Sequence, residues 1–226
     1  MSSITQKKKK KEFLKSKIGI AGVTLLSILI ITSIAVIIII PSDTFREWNN
    51  PENWISYPKV AIPIWVNLFL SEKIPEHKIL DTPNINHHKS KDTTVISHQF
   101  GINFEYDDFP NDFIYEFSAK YSGTPLLQID VMRPDGIQLR LLSTSLPHSD
   151  SNSIHNERIF STDQIVRKNL YLQSDKFLFP LNNLASEDIV FSKIEKHEPL
   201  SGRYVFLVKM YGDNSENQIP ESRLII

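Results

Sequence analysis

The sequence predicts one N-terminal transmembrane α-helix followed by a mainly antiparallel, β-sandwich-like extracytoplasmic domain. Three observations lead there. A long uncharged run lies near the start, several later segments alternate apolar and polar residues with a period of two, and turn-forming residues separate those segments.

The apolar run extends from Ile18 to Ile40, with Thr24, Ser27, Thr32 and Ser33 as its only hydroxyls. As a helix it measures about 34 Å, enough to cross a hydrocarbon layer of about 30 Å. The hydroxyls are expected to bond to carbonyls three or four residues back, which keeps them satisfied in lipid. A cleaved secretory signal shares the positive start but has a shorter apolar core with its cleavage site after it. Here the small-x-small triplet Ser33-Ile34-Ala35 sits inside the run, so the run is read as an uncleaved anchor. Gly19 and Gly22 are three residues apart and miss the four-residue spacing of a helix-packing motif.

Charge orients this helix. The first forty residues hold seven lysines, Lys7 to Lys11, Lys15 and Lys17, against Glu12, so they carry +6 and the remainder carries -7. Lysines beside a span stay in the cytoplasm, which places residues 1 to 17 inside and everything after the span outside. Localisation in the cell membrane, single-pass, with the lipid bilayer as first partner, follows from that reading. The acidic outer part offers no continuous basic surface, so no nucleic acid partner is expected. Cysteine is absent, which excludes disulfides and thiolate chemistry.

Residues 41 to 96 read as an extracytoplasmic linker containing Pro51, Pro58, Pro63, Pro75 and Pro83. All three tryptophans, Trp48, Trp54 and Trp65, lie in it, either as interfacial anchors or as the apolar edge of a folded domain. A short amphipathic helix is expected to open at Pro63.

The β-rich domain is placed at 97 to 226. Phe100, Ile102, Phe104 and Tyr106 form one alternating set, and Phe113, Tyr115, Phe117, Ala119 and Tyr121 another, with Ile114, Glu116, Ser118 and Lys120 facing the other way. Leu127, Ile129 and Val131, then Arg133-Pro134-Asp135-Gly136, then Ile137, Leu139 and Leu141 form a hairpin signature. Residues 143 to 158 read as a polar loop. Ser161 and Gln164 suggest a capping box for a short helix to about Gln173, with Ile165, Val166 and Leu170 inward. Phe177, Phe179, Phe191 and Ile194 are further core candidates. Tyr204, Phe206, Val208 and Met210 form the last clear strand, between Ser201-Gly202 and Gly212-Asp213-Asn214. The ending Arg223-Leu224-Ile225-Ile226 reads as a strand just entered. It suggests a domain truncated at its C-terminus, or else a terminal strand tucked into the sheet.

No catalytic, cofactor-binding or metal-ligating residue is assigned. His77, His87, His88 and His98, with Asp81 and Asp92, lack the spacings of known zinc sites and read as a polar linker. Glu105, Asp107, Asp108 and Asp112 lack an EF-hand pattern and read as a charged loop. No GxSxG, P-loop, GxGxxG or HExxH motif occurs, so the chain is not expected to be an enzyme.

The segment Phe13-Leu14-Lys15-Ser16-Lys17-Ile18-Gly19-Ile20-Ala21-Gly22, running into the apolar helix and Pro41, resembles the opening of dipeptide/oligopeptide ABC transporter permeases of the DppC/OppC type. Asn50-Pro51-Glu52-Asn53-Trp54-Ile55-Ser56-Tyr57-Pro58-Lys59 and Pro63-Ile64-Trp65-Val66-Asn67-Leu68-Phe69 look like its archaeal branch, whose members often carry a β-rich extracytoplasmic insertion after the first helix. The resemblance covers residues 8 to 70. It implies a permease subunit for peptide transport, assembled with other permease helices or subunits, cytoplasmic ABC ATPases and an extracytoplasmic peptide-binding protein. The sequence departs from the family in having no second hydrophobic span, so it would be the N-terminal part of a permease, not transport-competent alone. The competing expectation is a stand-alone membrane-anchored extracytoplasmic binding or structural module.

Overall fold

The computed structural model describes residues 16–41, 43–51, 63–89, 93–212 and 217–226. Trp54, Tyr57, Asp92, Asp213, Asn214 and the lysines before Lys17 lie outside them. The chain divides into two compact units, residues 1–54 and 55–226.

The first unit contains α1 (Lys17–Ile39) and the short α2 (Thr44–Trp48). α1 begins where Ser16 Oγ accepts from the Gly19 amide at 3.4 Å, one residue before the expected start, and is long and apolar enough to cross a membrane. Ser27 donates to the Val23 carbonyl at 2.8 Å, and Thr32 and Ser33 both donate to Leu29 at 3.0 and 2.8 Å. These three hydroxyls are thus satisfied within the helix, as expected of a span.

The second unit is an antiparallel β-sandwich. β1 (Ile79–Leu80), β2 (Asn84–Lys89), β3 (Thr94–Phe104), β4 (Ile114–Gly123), β5 (Leu126–Met132), β6 (Gln138–Ser145), β7 (Ser149–Phe160), β8 (Gly202–Gly212) and β9 (Gln218–Ile225) form two sheets. Their orders are β1-β9-β4-β7 and β2-β3-β8-β5-β6. The alternating residues supply the shared core. Phe100 of one sheet meets Tyr115 of the other at 6.0 Å between ring centroids, and Phe206 meets Phe113 at 5.8 Å.

The hairpin at Arg133–Ile137 forms as expected, with Gly136 at φ 80°, a conformation that favours glycine. Between β7 and β8 lie α3 (Gln164–Tyr171) and α4 (Ser186–Phe191). Val166 and Leu170 are buried, whereas Ile165 is exposed. Asp163, not Ser161, occupies the N-cap position of α3. The capping box does not form because the buried Ser161 hydroxyl donates to Asp112, while the Asp163 carboxylate accepts from the Phe160 amide.

Two expectations are corrected. Residues 143 to 158 are not a loop: β6 continues to Ser145 and β7 occupies Ser149–Phe160, pairing with β4 from Ile114↔Phe160 to Gly123↔Ser149. The expected linker, residues 41 to 96, contains strands: within it β1 and β2 belong one to each sheet, β3 starts at Thr94, and Lys78 exchanges two backbone hydrogen bonds with Ile226. The short helix expected to open at Pro63 forms as a 3-10 helix, Ile64–Leu68, with Pro63 at its N-cap. Leu224, Ile225 and Ile226 are buried, and β9 runs between β1 and β4, so the apolar ending is a strand inside the sheet.

Candidate functional site

β1 pairs with β9 only through Ile79↔Ile225 and Leu80↔Leu224. The chain then leaves this sheet through Asp81–Pro83 and starts β2 in the other sheet. From Arg223 back to Gln218, β9 therefore has no neighbour on that side among the described residues. Pro220, which has no amide hydrogen, suits such an edge. A groove of about 780 Å³ opens there. It is lined by Asp81, Pro83 and Ile85 from the crossover, by residues 220–223 of β9, 116–118 of β4, 156–158 of β7, and by His98.

Register arranges the outer face of this sheet in rows. Ile225, Ile114 and Phe160 stand side by side, followed by Arg223, Glu116 and Arg158, then Glu221, Ser118 and Asn156. Glu116 is buried, with a side chain 9 % exposed, and is held from both sides. Arg158 Nε lies 2.9 Å from Oε1, and Arg223 Nε bonds Oε2. Two guanidiniums thus flank one carboxylate. The arginines are 42 % and 46 % exposed, so their outer ends reach the groove. In the next row Ser118 Oγ donates to Asn156 Oδ1 at 2.8 Å.

On the inner face, Ser222 stands opposite Phe117, and its hydroxyl lies 2.6 Å from Nδ1 of His98 in the other sheet. A serine beside an imidazole invites comparison with an activated nucleophile. Burial, and secondarily the charge of His87, lowers the His98 pKa to about 4, so this ring is a poor base near neutral pH. Its Nε2 is buried without a partner, so no carboxylate orients it as in a catalytic triad. The pair is a cross-sheet hydrogen bond.

A second polar cluster joins β4, β7 and α4. Ser161 donates to Asp112, and burial holds both Asp112 and Glu187 above the usual carboxylate range. The Asp112 charge raises Glu187 further. Behind the β5–β6 hairpin, Arg133 is buried and donates to the carbonyls of Ile189, Val190 and Ser192 at the end of α4, and to Asp135.

The residues considered for metal binding are dispersed. His87 and His88 project from the exposed β2, while His98 is in the interior. Asp107 accepts from the Lys73 amide, Asp108 from Phe109, and Asp112 from Ser161. No cluster of three metal-ligating side chains occurs among the described residues. The groove was missed because Arg158 fell in the supposed loop and Arg223 in the supposed ending; only strand register joins them to Glu116.

No protein-family model matches the chain, and no curated protein matches it. Similar solved structures include TmCBM61 in complex with β-1,4-galactotriose, at 7% identity over 69% of this chain and 87% of that one, TM-score 0.27. The enzymatically active domain of bacteriophage CBA120 tailspike protein 4 is 9% identical over 74% and 21% of the two chains, TM-score 0.26. A CBM4 structure is 6% identical over 66% and 82%, TM-score 0.24. At such TM-scores these likenesses carry no argument about the chain.

Proposed function

We propose that this protein is a single-span, membrane-anchored binding module, with its lysine-rich start in the cytoplasm and its β-sandwich outside the cell. The groove beside β9 carries this reading: two half-exposed guanidiniums are fixed by one buried carboxylate, next to a strand edge that has no partner among the described residues. Such fixed polar groups lose little freedom when a ligand arrives. α1 supports the anchoring by its length and composition, and the lysines before it support the orientation.

Hydrogen exchange on the full chain in detergent micelles, read with and without a panel of small charged molecules, tests the binding role. Protection confined to segments 116–118, 156–158 and 220–223 is expected. The rival proposal, the N-terminal part of a peptide-type ABC permease, has the resemblance over residues 8 to 70 as its support. No protection by any ligand, together with photo-crosslinks from position 158 to transporter subunits in the source membrane, would move the assignment to that reading.

A further inference from the structure

The groove's charges are not uniform, and their layout selects a ligand. Each arginine commits Nε to Glu116, and neither makes a second ion pair among the described residues, so the terminal nitrogens of both forks are available. Two guanidiniums against one carboxylate leave this row with an excess positive charge. Among the described residues, however, the lining has four carboxylates, Asp81, Glu116, Glu157 and Glu221, against those two guanidiniums. A simple anion would meet an overall opposing field. A simple cation would meet the arginine row.

Along β9 the sign changes. Glu221 and Arg223 face the same side two residues apart, a spacing of about 7 Å. Glu221 makes no ion pair among the described residues and is exposed. In the same row as Glu221 stand Ser118 of β4 and Asn156 of β7, whose remaining donors and acceptors add neutral polar groups beside the charges. The rows that hold these charges present no aromatic ring to stack on a flat ligand; Phe117 faces the core.

Building on the binding-module reading, we propose that this groove binds a small zwitterion, with its carboxylate on the Arg158 and Arg223 forks and its ammonium beside Glu221. The preferred ligand has its charges about 7 Å apart, one strand repeat. Recognition is by position of charge, so either end alone binds weakly.

The test is calorimetric titration of the full chain in detergent micelles with glycine, β-alanine, γ-aminobutyrate and δ-aminovalerate, a series that lengthens the charge separation. Affinity is expected to rise to δ-aminovalerate and to fall at least tenfold when its amine is acetylated or its acid amidated. Glu221→Gln, at an exposed position, is expected to lower δ-aminovalerate affinity at least tenfold while leaving valerate binding and the melting temperature unchanged. Valerate binding as tightly as δ-aminovalerate would overturn the zwitterion assignment and leave a groove that binds oxyanions. No heat from any of these compounds also overturns the zwitterion assignment, and the exchange experiment above then decides separately whether the groove binds anything.

Discussion

Replacing Arg133 with methionine tests whether a buried guanidinium holds α4 against the β5–β6 hairpin. The side chain is fully buried, and it serves the carbonyls of Val190 at 3.0 Å, Ile189 at 3.1 Å and Ser192. Ile189 keeps a second donor, the Ser192 hydroxyl at 3.3 Å, so two carbonyls lose their side-chain donor in the variant. Each costs about 1–3 kcal/mol. The Asp135 partner is 16 % exposed, and water takes over much of that ion pair, so it adds less than about 1 kcal/mol. The sum is about 4 kcal/mol, or about 10 °C in melting temperature for a domain of this size. Near-ultraviolet circular dichroism of the buried Tyr115, Tyr121 and Tyr204 is the assay, because Trp48 and Trp65 lie outside the two sheets. Arg133→Lys is expected to recover less than half of the loss, since a point charge cannot serve a forked set of acceptors. Asp135→Asn is expected to cost about 2 kcal/mol or more, because it leaves the buried guanidinium without its carboxylate. A loss below about 3 °C for methionine, or a lysine variant as stable as wild type, would refute the reasoning.

Three further perturbations have defined signs. The lowered His98 pKa means that the unfolded chain binds a proton the folded one refuses between about pH 4 and 6.5. Stability therefore rises with pH across that window, by up to about 3 kcal/mol, and His98→Gln should flatten that part of a urea-midpoint profile. Glu187 is shifted the other way, so its contribution is present below the ordinary value of 4.5 and is lost as pH rises through the higher folded value. Glu187→Gln should thus gain stability relative to wild type on going from pH 4 to pH 7, measured by the same midpoints. Gly202 has φ +140°, and a Cβ there would lie 2.6 Å from Pro134 Cβ, so Gly202→Ala should cost about 2 kcal/mol or more in a thermal melt.

What the sequence displayed and what it hid follow from one physical difference. β3, β4, β5 and β8 have a core face, and a core face writes itself as alternation: Phe100, Ile102 and Phe104 are buried while Gly101 and Asn103 are exposed. β2 and β7 are edge strands. Asn84 to His88 are exposed without alternation, and β7 has Ile154, Ile159 and Phe160 as its only apolar residues, so neither carries the period that marks a half-buried strand. β1 is two residues long, and Pro220 argues against reading β9 as a central strand. α1 was legible because a hydrocarbon layer demands an unbroken apolar run, and it differs from expectation by one residue at each end. The candidate site was hidden for a different reason. Glu116, Arg158 and Arg223 come from three strands far apart in the chain, and each looks like an ordinary solvent-facing residue until register sets them side by side.

The sheet orders also fix a timetable. β9 lies between β1 and β4, and β8 between β3 and β5, so neither sheet can close from its early strands alone. Ile114 waits for Ile225, and Phe104 for Gly202, each about a hundred residues downstream. Until those arrive on a chain emerging residue by residue, β3 and β4 present unpaired amides and apolar faces to whatever is nearby. Pairings this remote form slowly, because the intervening loop must be closed before any contact rewards it. The nascent domain is therefore most vulnerable to proteases and to its own neighbours just before residues 202–225 emerge, and a holdase that covers β4 over that interval is the help it most needs.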